Sequence, residues 1–415
     1  MSKFEEMIDS NPLLQGLPMD ISWQEWKQRL SVNPFEGEDV QTLSPHVREL
    51  LLDQYENLYV PTATTVQIAM DIHRMLISGL IERHPYIPSQ KRHVYDMLRA
   101  SEGEEFKFPV SSARPRGMLL KGVTKLGKSR LAERVLSQYP QVIVRRRDER
   151  AAWIELRQLM YLVVPMPSDA SKAGFLMNAF IELDNALGTS YAQEAKIRNA
   201  TIDIQLVKLL ALLVKHRCGL FIIEEGQEDH ELSNVKFGRS FLTFFLRLLN
   251  TGIPTVLIGN PKAFNEISTS SQLMSRLSNP GARELTPCAI ATNSEWTGDY
   301  VPGIWGANLL PEPDEPITDL YKFLWDRTGG FVHYLSMWRR EATRIALVSG
   351  DRSLKRQHLD LAMKSTVMQV GAQIVTSYWN GRLGNDTDFR DIPGKLNPKI
   401  DKNSGRRRKP GGEPA

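Results

Sequence analysis

The sequence predicts an α/β protein in which helices cover both faces of a parallel sheet, followed by a small domain made of helices only. Between residues 117 and 259, short and nearly continuous apolar strands alternate with segments of helical period. This alternation is typical of a parallel sheet that is buried on both faces. Strand signals stop after the proline-rich stretch 311–316, and apolar residues then recur at helical spacing.

The predicted elements follow in chain order. Residues 1–60 are expected to be an extension with one short amphipathic helix at 21–30, and further helices are predicted at 62–80 and 90–100. The predicted strands are 117–121, 141–144, 161–164, 218–223, 254–259 and 283–285. Helices are predicted at 129–138, 173–187, 204–215, 237–250, 319–348 and 353–370. The predicted domains are an extension (1–60), a nucleotide-binding α/β domain with its N-terminal helices (61–300), a helical lid (301–380) and a flexible basic tail (381–415).

Composition narrows the class of protein. The chain has two cysteines, Cys218 and Cys288, too few for a disulfide framework or a cysteine-rich zinc site. Its start lacks the apolar core of a signal peptide, and its longest apolar runs fall short of a membrane span. We therefore expect a cytoplasmic protein without a membrane partner. From residue 395 onward, seven basic residues oppose two acidic ones, a balance of +5 against +4 for the whole chain. Such a tail suits either a solvated end or an arm that touches nucleic acid.

A phosphate-binding loop follows the first predicted strand. Residues 122–129 read GVTKLGKS and fit the pattern G-x-x-x-x-G-K-[ST] at every fixed position, with a strand before and a helix after. The glycines let backbone amides turn toward a phosphate, Lys128 supplies a positive charge, and the Ser129 hydroxyl can bind Mg²⁺. The sequence thus predicts ATP and Mg²⁺ as ligands. The predicted nucleotide-binding residues are Gly122, Val123, Thr124, Lys125, Leu126, Gly127, Lys128 and Ser129.

Two adjacent acids, Glu224 and Glu225, end a buried strand. Carboxylates in such a place are costly unless they face a cation or a cleft, and the ends of parallel strands are where nucleotide sites form. We predict that Glu224 holds the metal together with Ser129, and that Glu225 is the general base for the attacking water. Most phosphate-loop ATPases have Asp at the first position, so Glu224 is expected to shift the metal or slow hydrolysis.

Three further residues are candidates for catalysis. Asn260 follows the next strand and is predicted to orient the attacking water. Arg276 lies near the end of the following helix, where it could reach the γ-phosphate of a neighbouring subunit. Arg283 competes with Arg276 for that role.

With these motifs in place, the stretch 117–259 resembles the AAA+ transposition-regulator ATPases of the TnsC/TniB type. Besides the ATPase motifs, the resemblance rests on YPQVI at 139–143, QLMYLVV at 158–164, PSDASKAG at 167–174 and AFIELDNALGT at 179–189. PYIP at 85–88 is similar to the segment before the nucleotide fold of that family. The similarity covers roughly residues 80–290, with a looser match through 328–330.

The resemblance implies an ATPase that assembles into rings or filaments on double-stranded DNA. It further implies that the protein links a target-selecting protein of the TniQ/TnsD type to a DDE-type transposase. Lys172 matches the region where such ATPases touch the DNA backbone, and Arg145 and Arg146, with Arg147, form a second candidate DNA contact. In the lid, an arginine that senses the γ-phosphate is expected soon after Gly330, but this chain has His333 there and its next arginines are Arg339 and Arg340.

Two other functions stay open from the sequence. A replication initiator or helicase loader shares the nucleotide fold, but it would need a DNA-reading helix-turn-helix or a helicase contact near its C-terminus. A signalling NTPase would assemble with nucleotide whether or not DNA is present.

Overall fold

The computed structural model describes residues 2–40, 42–103, 108–114, 116–167, 171–197, 201–224, 246–260 and 281–380. A five-stranded parallel sheet lies at its centre, with the strands in the spatial order β4-β5-β6-β1-β7. Helices flank this sheet and form the C-terminal region, so the predicted fold class is confirmed. The strands are β1 (Gly117–Lys121), β2 (Val142–Arg145), β3 (Leu156–Leu159), β4 (Tyr161–Pro165), β5 (Leu220–Glu224), β6 (Thr255–Gly259) and β7 (Gly281–Glu284).

The central strands are apolar over nearly their whole length because helices cover both of their faces. The first four residues of β1 and of β5 are buried, as are all five residues of β6. Their register brings the carboxyl ends of the strands together: Lys121 lies opposite Gly259, and Glu224 lies opposite Ile258. Side chains that follow these strands therefore meet at one edge of the sheet.

The α-helices are named in chain order. They are α1 (Lys3–Asp9), α2 (Trp23–Leu30), α3 (Pro45–Leu51), α4 (Ala63–Glu82), α5 (Pro88–Ser101), α6 (Lys128–Leu136), α7 (Lys172–Leu187), α8 (Tyr191–Ile197), α9 (Ile202–Lys215), α10 (Val301–Trp305), α11 (Leu320–Thr328), α12 (Val332–Val348), α13 (Arg356–Ala362) and α14 (Thr366–Asn380). The described residues also include a 3₁₀ turn at Leu52–Glu56, a π turn at Trp296–Tyr300 and a helical segment at 246–250. Among the described residues, no helix has the length and apolar character that a bilayer crossing requires.

One predicted strand of the central sheet lies elsewhere. The segment predicted at 141–144 forms β2, which pairs antiparallel with β3 in a separate two-stranded sheet. The ten residues between the two strands return the chain directly to its neighbour, an arrangement that an antiparallel pair allows. Val144 on β2 is 58% exposed, so this hairpin is not covered on both faces as the central sheet is.

The N-terminal segment belongs to the main core. Leu13, Trp26 and Leu30 are completely buried and lie in the same hydrophobic cluster as residues of α4, α6 and the C-terminal helices. Polar contacts hold the segment as well, since the Asn11 amide donates to the Leu80 carbonyl at 3.0 Å. These residues therefore belong to the same hydrophobic core as strand β1 of the central sheet.

Two consecutive glycines form the turn between α11 and α12. Gly329 and Gly330 have φ values of +57° and +76°, a conformation that favours glycine. A Cβ on Gly330 would lie 2.2 Å from the Cys288 carbonyl oxygen, so the turn also needs glycine for its close approach to the chain that follows β7. This turn, called here the lid turn, brings the C-terminal helices into contact with the segment that follows β7.

Candidate functional site

The phosphate-binding loop occupies the turn between β1 and α6. Gly127 precedes the first helical residue with φ +81°, and Lys125 has φ +70°. Gly122 is required for a different reason, because a Cβ there would lie 2.8 Å from the Leu285 carbonyl oxygen. The loop thus runs close against the end of β7, and its left-handed residues turn it into the N-terminus of α6, where the helix dipole favours an anion.

Lys128 is the first residue of α6, and only 7% of it is exposed. Its ammonium group donates to the carbonyl oxygens of Gly122 at 2.7 Å and Val123 at 3.1 Å. It also donates to the Asn260 side-chain oxygen at 3.3 Å. The fold therefore brings together Lys128 and Asn260, two predicted site residues that are 132 positions apart. The positive charge and the N–H donors of this ammonium group suit the oxygens of a polyphosphate, which accept charge-assisted hydrogen bonds.

Ser129 and Glu224 meet at the end of β5. The Ser129 hydroxyl hydrogen-bonds to the Glu224 carboxylate, and Lys128 and Glu133 lie close enough to influence that carboxylate. Burial raises the pKa of Glu224 above its usual value, although the Ser129 bond and the Lys128 charge act in the opposite direction. Hydroxyl and carboxylate oxygens are ligands that Mg²⁺ accepts, so this pair fits the predicted metal. Glu225, the predicted base, lies outside the described residues.

A small cavity of about 90 Å³ lies between the phosphate-binding loop and the lid turn. Leu126 of the loop, Thr64 at the start of α4, and Gly330 and Val332 at the lid line it. Glu295 also lines it, and its carboxylate accepts the Thr64 amide at 2.8 Å. Sequence reasoning did not identify Thr64 or Glu295, because no motif marks them and only the fold brings them to the loop.

The lid presents a histidine near this loop. Burial, helped by the positive charge of Lys125, lowers the pKa of His333 to about 4, so the ring is neutral at pH 7. The two lid arginines lie in other pairs. Arg339 is completely buried and donates to Asp314 at 2.5 Å, while Arg340 pairs with Asp53 and with Glu56.

Of the two candidate arginine fingers, only Arg283 lies among the described residues. The guanidinium group of Arg283 donates to one carboxylate oxygen of Asp71, at 2.7 Å from Nε and 2.6 Å from Nη2. The Asp71 side chain is fully buried, so Arg283 serves to satisfy a buried charge. This ion pair gives Arg283 a structural use, and Arg276 lies outside the described residues.

The candidate DNA-contacting residues lie in different surroundings. Arg145 is partly buried and donates to the Gln15 carbonyl at 2.7 Å, the Leu13 carbonyl at 3.0 Å and the Gln158 side chain at 2.8 Å. Arg146 is exposed in the β2–β3 hairpin, and Lys172 is exposed at the first position of α7. The geometry gives Arg145 a structural use, whereas Arg146, Lys172 and Arg147, which pairs with Glu149, are exposed.

Comparisons with known proteins give a family match to the part of the chain that contains this site. Residues 91–284 match the family described as “Bacterial TniB protein”, a segment that includes the phosphate-binding loop and the whole central sheet. The predicted resemblance is confirmed by this match. No curated protein sequence matches the chain.

Solved structures with similarity to the chain include the Aeropyrum pernix ORC2 protein in ADPNP–ADP complexes, at 14% identity and a TM-score of 0.41. That match covers 71% of this chain and 70% of the other. The ADP form of the same protein is 12% identical, with a TM-score of 0.39 and 68% of each chain covered. A single-substitution variant of Thermotoga maritima RuvB is 12% identical, with a TM-score of 0.32, 66% of this chain covered and 67% of the other.

Proposed function

We propose, on the premise that residues 91–284 carry the TniB family match, that this protein is an ATPase that assembles on double-stranded DNA and regulates transposition. One observation carries the ATPase part: Lys128 and Ser129 of the phosphate-binding loop, Glu224 of β5 and Asn260 after β6 come from three segments and meet at the carboxyl edge of the sheet. The family match supports the transposition part.

Each residue has a chemical task in this proposal. The loop amides and Lys128 hold the β- and γ-phosphates, and the cavity beside Leu126 takes the base. Ser129 and Glu224 hold Mg²⁺, which neutralises phosphate charge when bound. Asn260, already hydrogen-bonded to Lys128, orients the attacking water, and Glu225 accepts its proton.

The partners follow from the family and from the exposed cations. Arg146 and Lys172 contact the phosphates of duplex DNA, a salt-sensitive interaction that tolerates many sequences. Copies of the chain form a ring or helical filament, in which Arg276 of one subunit reaches the nucleotide of the next. The assembly connects a target-selecting protein of the TniQ/TnsD type to a transposase.

Electron microscopy tests this proposal directly. Wild-type protein is mixed with long duplex DNA at low salt and a non-hydrolysable ATP analogue, beside Lys128→Ala and the surface control Lys322→Ala, whose side chain is 67% exposed. Wild type and the control should form rings or filaments on the DNA, and Lys128→Ala should not. Wild-type protein that stays monomeric on the DNA would refute the proposal.

A second arm separates the proposal from its alternatives. A pull-down with the assembled protein should recover transposase. Recovery of a helicase without transposase would favour a loader, and nucleotide-dependent assembly that ignores DNA would favour a signalling NTPase.

A further inference from the structure

The last described helix, α14, contacts the lid turn. The Trp379 indole N–H donates to the Gly329 carbonyl at 3.0 Å, and its ring lies 6.0 Å from the Trp325 ring of α11. Tyr378 packs edge-to-face on Phe331, the residue that follows the turn, at a ring distance of 5.4 Å. The last residues of α14 are thus anchored on both sides of the Gly329–Gly330 pair.

The contact between α14 and the lid turn is closely packed. A Cβ on Gly329 would lie 2.3 Å from a Val375 methyl and 2.8 Å from the Trp379 indole nitrogen. A Cβ on Gly371 would lie 2.7 Å from the Tyr334 ring. Because even one methyl group would not fit at these two places, a displacement of the turn must move α14 as well.

The same turn forms one wall of the cavity beside the phosphate-binding loop. Gly330 and Val332 line that cavity together with Leu126. The Gly330 carbonyl accepts the Cys288 amide at 3.1 Å, and the Cys288 carbonyl accepts the Trp325 indole N–H at 2.8 Å. The turn is therefore hydrogen-bonded to the segment after β7 on one side and to Trp379 on the other.

We propose that Trp379 is a positioning residue for nucleotide binding, which acts by holding the lid turn against the cavity. The basic tail follows α14 directly in the sequence. The lid turn couples nucleotide binding at the cavity to the docking of α14, the helix that precedes the tail. Coupling of this kind is reciprocal: α14 strengthens ATP binding, and ATP strengthens the docking of α14. This inference rests on the proposed ATP site.

The test uses the full chain and the variants Trp379→Phe and Trp23→Phe. Phenylalanine keeps an aromatic ring but removes the indole N–H. Trp23 is a matched control because it is 40% exposed and Trp379 is 41% exposed. Calorimetric titration with MgATP should give an affinity for Trp379→Phe that is about two- to tenfold weaker than wild type, the effect of one lost hydrogen bond. Trp23→Phe should bind like wild type.

Hydrogen exchange on the wild-type protein gives a second measurement that needs no variant. Addition of the non-hydrolysable ATP analogue should slow amide exchange in 366–380, an effect that a purely structural tryptophan would not produce. Equal affinities of the two variants, or exchange in 366–380 that ignores the nucleotide while wild type binds it, would overturn the inference. Wild-type protein that binds no nucleotide would instead refute the ATP site itself.

Discussion

The substitution Gly122→Ala tests the site, because close contacts, and not the backbone conformation, require glycine at this position. Gly122→Ala would place a Cβ 2.8 Å from the Leu285 carbonyl oxygen and 3.4 Å from both the Leu285 Cβ and the Lys128 Cδ. Ordinary contacts begin at about 3.4 Å, so the loop or the chain after β7 must move by about 0.6 Å. Backbone on one side and the buried lysine on the other leave few ways to relax.

The size of the effect follows from these contacts. Overpacking of this kind costs about 1–3 kcal/mol of folding free energy. Displacement of Lys128 would also weaken a charge-assisted hydrogen bond to phosphate, worth about 1.5–3 kcal/mol. The dissociation constant for MgATP should therefore rise by roughly 10- to 150-fold.

Urea unfolding and calorimetric titration with MgATP would measure the two effects. Gly350→Ala is the control, since Gly350 has φ +73° and a Cβ there would meet nothing within 4 Å. That variant should lose about 1–2 kcal/mol of stability through its left-handed backbone and bind MgATP normally. If Gly122→Ala matched wild type in both stability and affinity, the close packing of the loop against Leu285 would be wrong.

Three further predictions concern charged groups. Arg145→Ala should lower the free energy of unfolding by about 1–3 kcal/mol, because it loses hydrogen bonds. Arg146→Ala should leave stability unchanged and reduce the salt slope of DNA binding by about 1. The reverse pattern in urea unfolding and salt titrations of DNA binding would contradict the assignment. The raised pKa of Glu224 means that its metal-binding carboxylate form is lost at a higher pH than for an ordinary glutamate. Mg²⁺-dependent ATP affinity should therefore fall as the pH is lowered toward that raised pKa, and Glu224→Gln should bind weakly without this dependence. Lys125→Ala should raise the pKa of His333 from about 4, but burial, the larger cause, should keep it below the ordinary value of 6.5 in an NMR titration.

Local patterns in the sequence predicted much of the central sheet and the phosphate-binding loop. β1 has the predicted boundaries, and β4, β5 and β6 lie within one or two residues of theirs, because continuous apolar runs between polar turns are a strong signal. The loop motif carries its own conformational requirements, and its glycines lie where a turn and a close approach need them.

Local patterns in the sequence did not predict the remaining features. The sequence predicted β2 as a strand of the central sheet, but β2 pairs with β3 instead. A short β-branched strand suits an exposed hairpin as well as it suits a buried sheet. Arg145 holds the N-terminal segment, and Arg283 balances the charge of Asp71. In both cases the partner residues lie more than 100 positions away in the sequence. Glu225 and Arg276 stay predictions, because they lie outside the described residues.

The buried position of Trp26 determines how this protein can be shortened. A fragment that starts at Ala63 would uncover apolar surface on α4 and α6 and would be prone to aggregate, even though it keeps every nucleotide-binding motif. Trimming experiments meant to find a partner at the N-terminal end should therefore remove exposed side chains, such as Phe4 or Trp23, and leave the segment in place. Loss of ATP binding after a larger deletion would report a damaged core and say nothing about a missing partner.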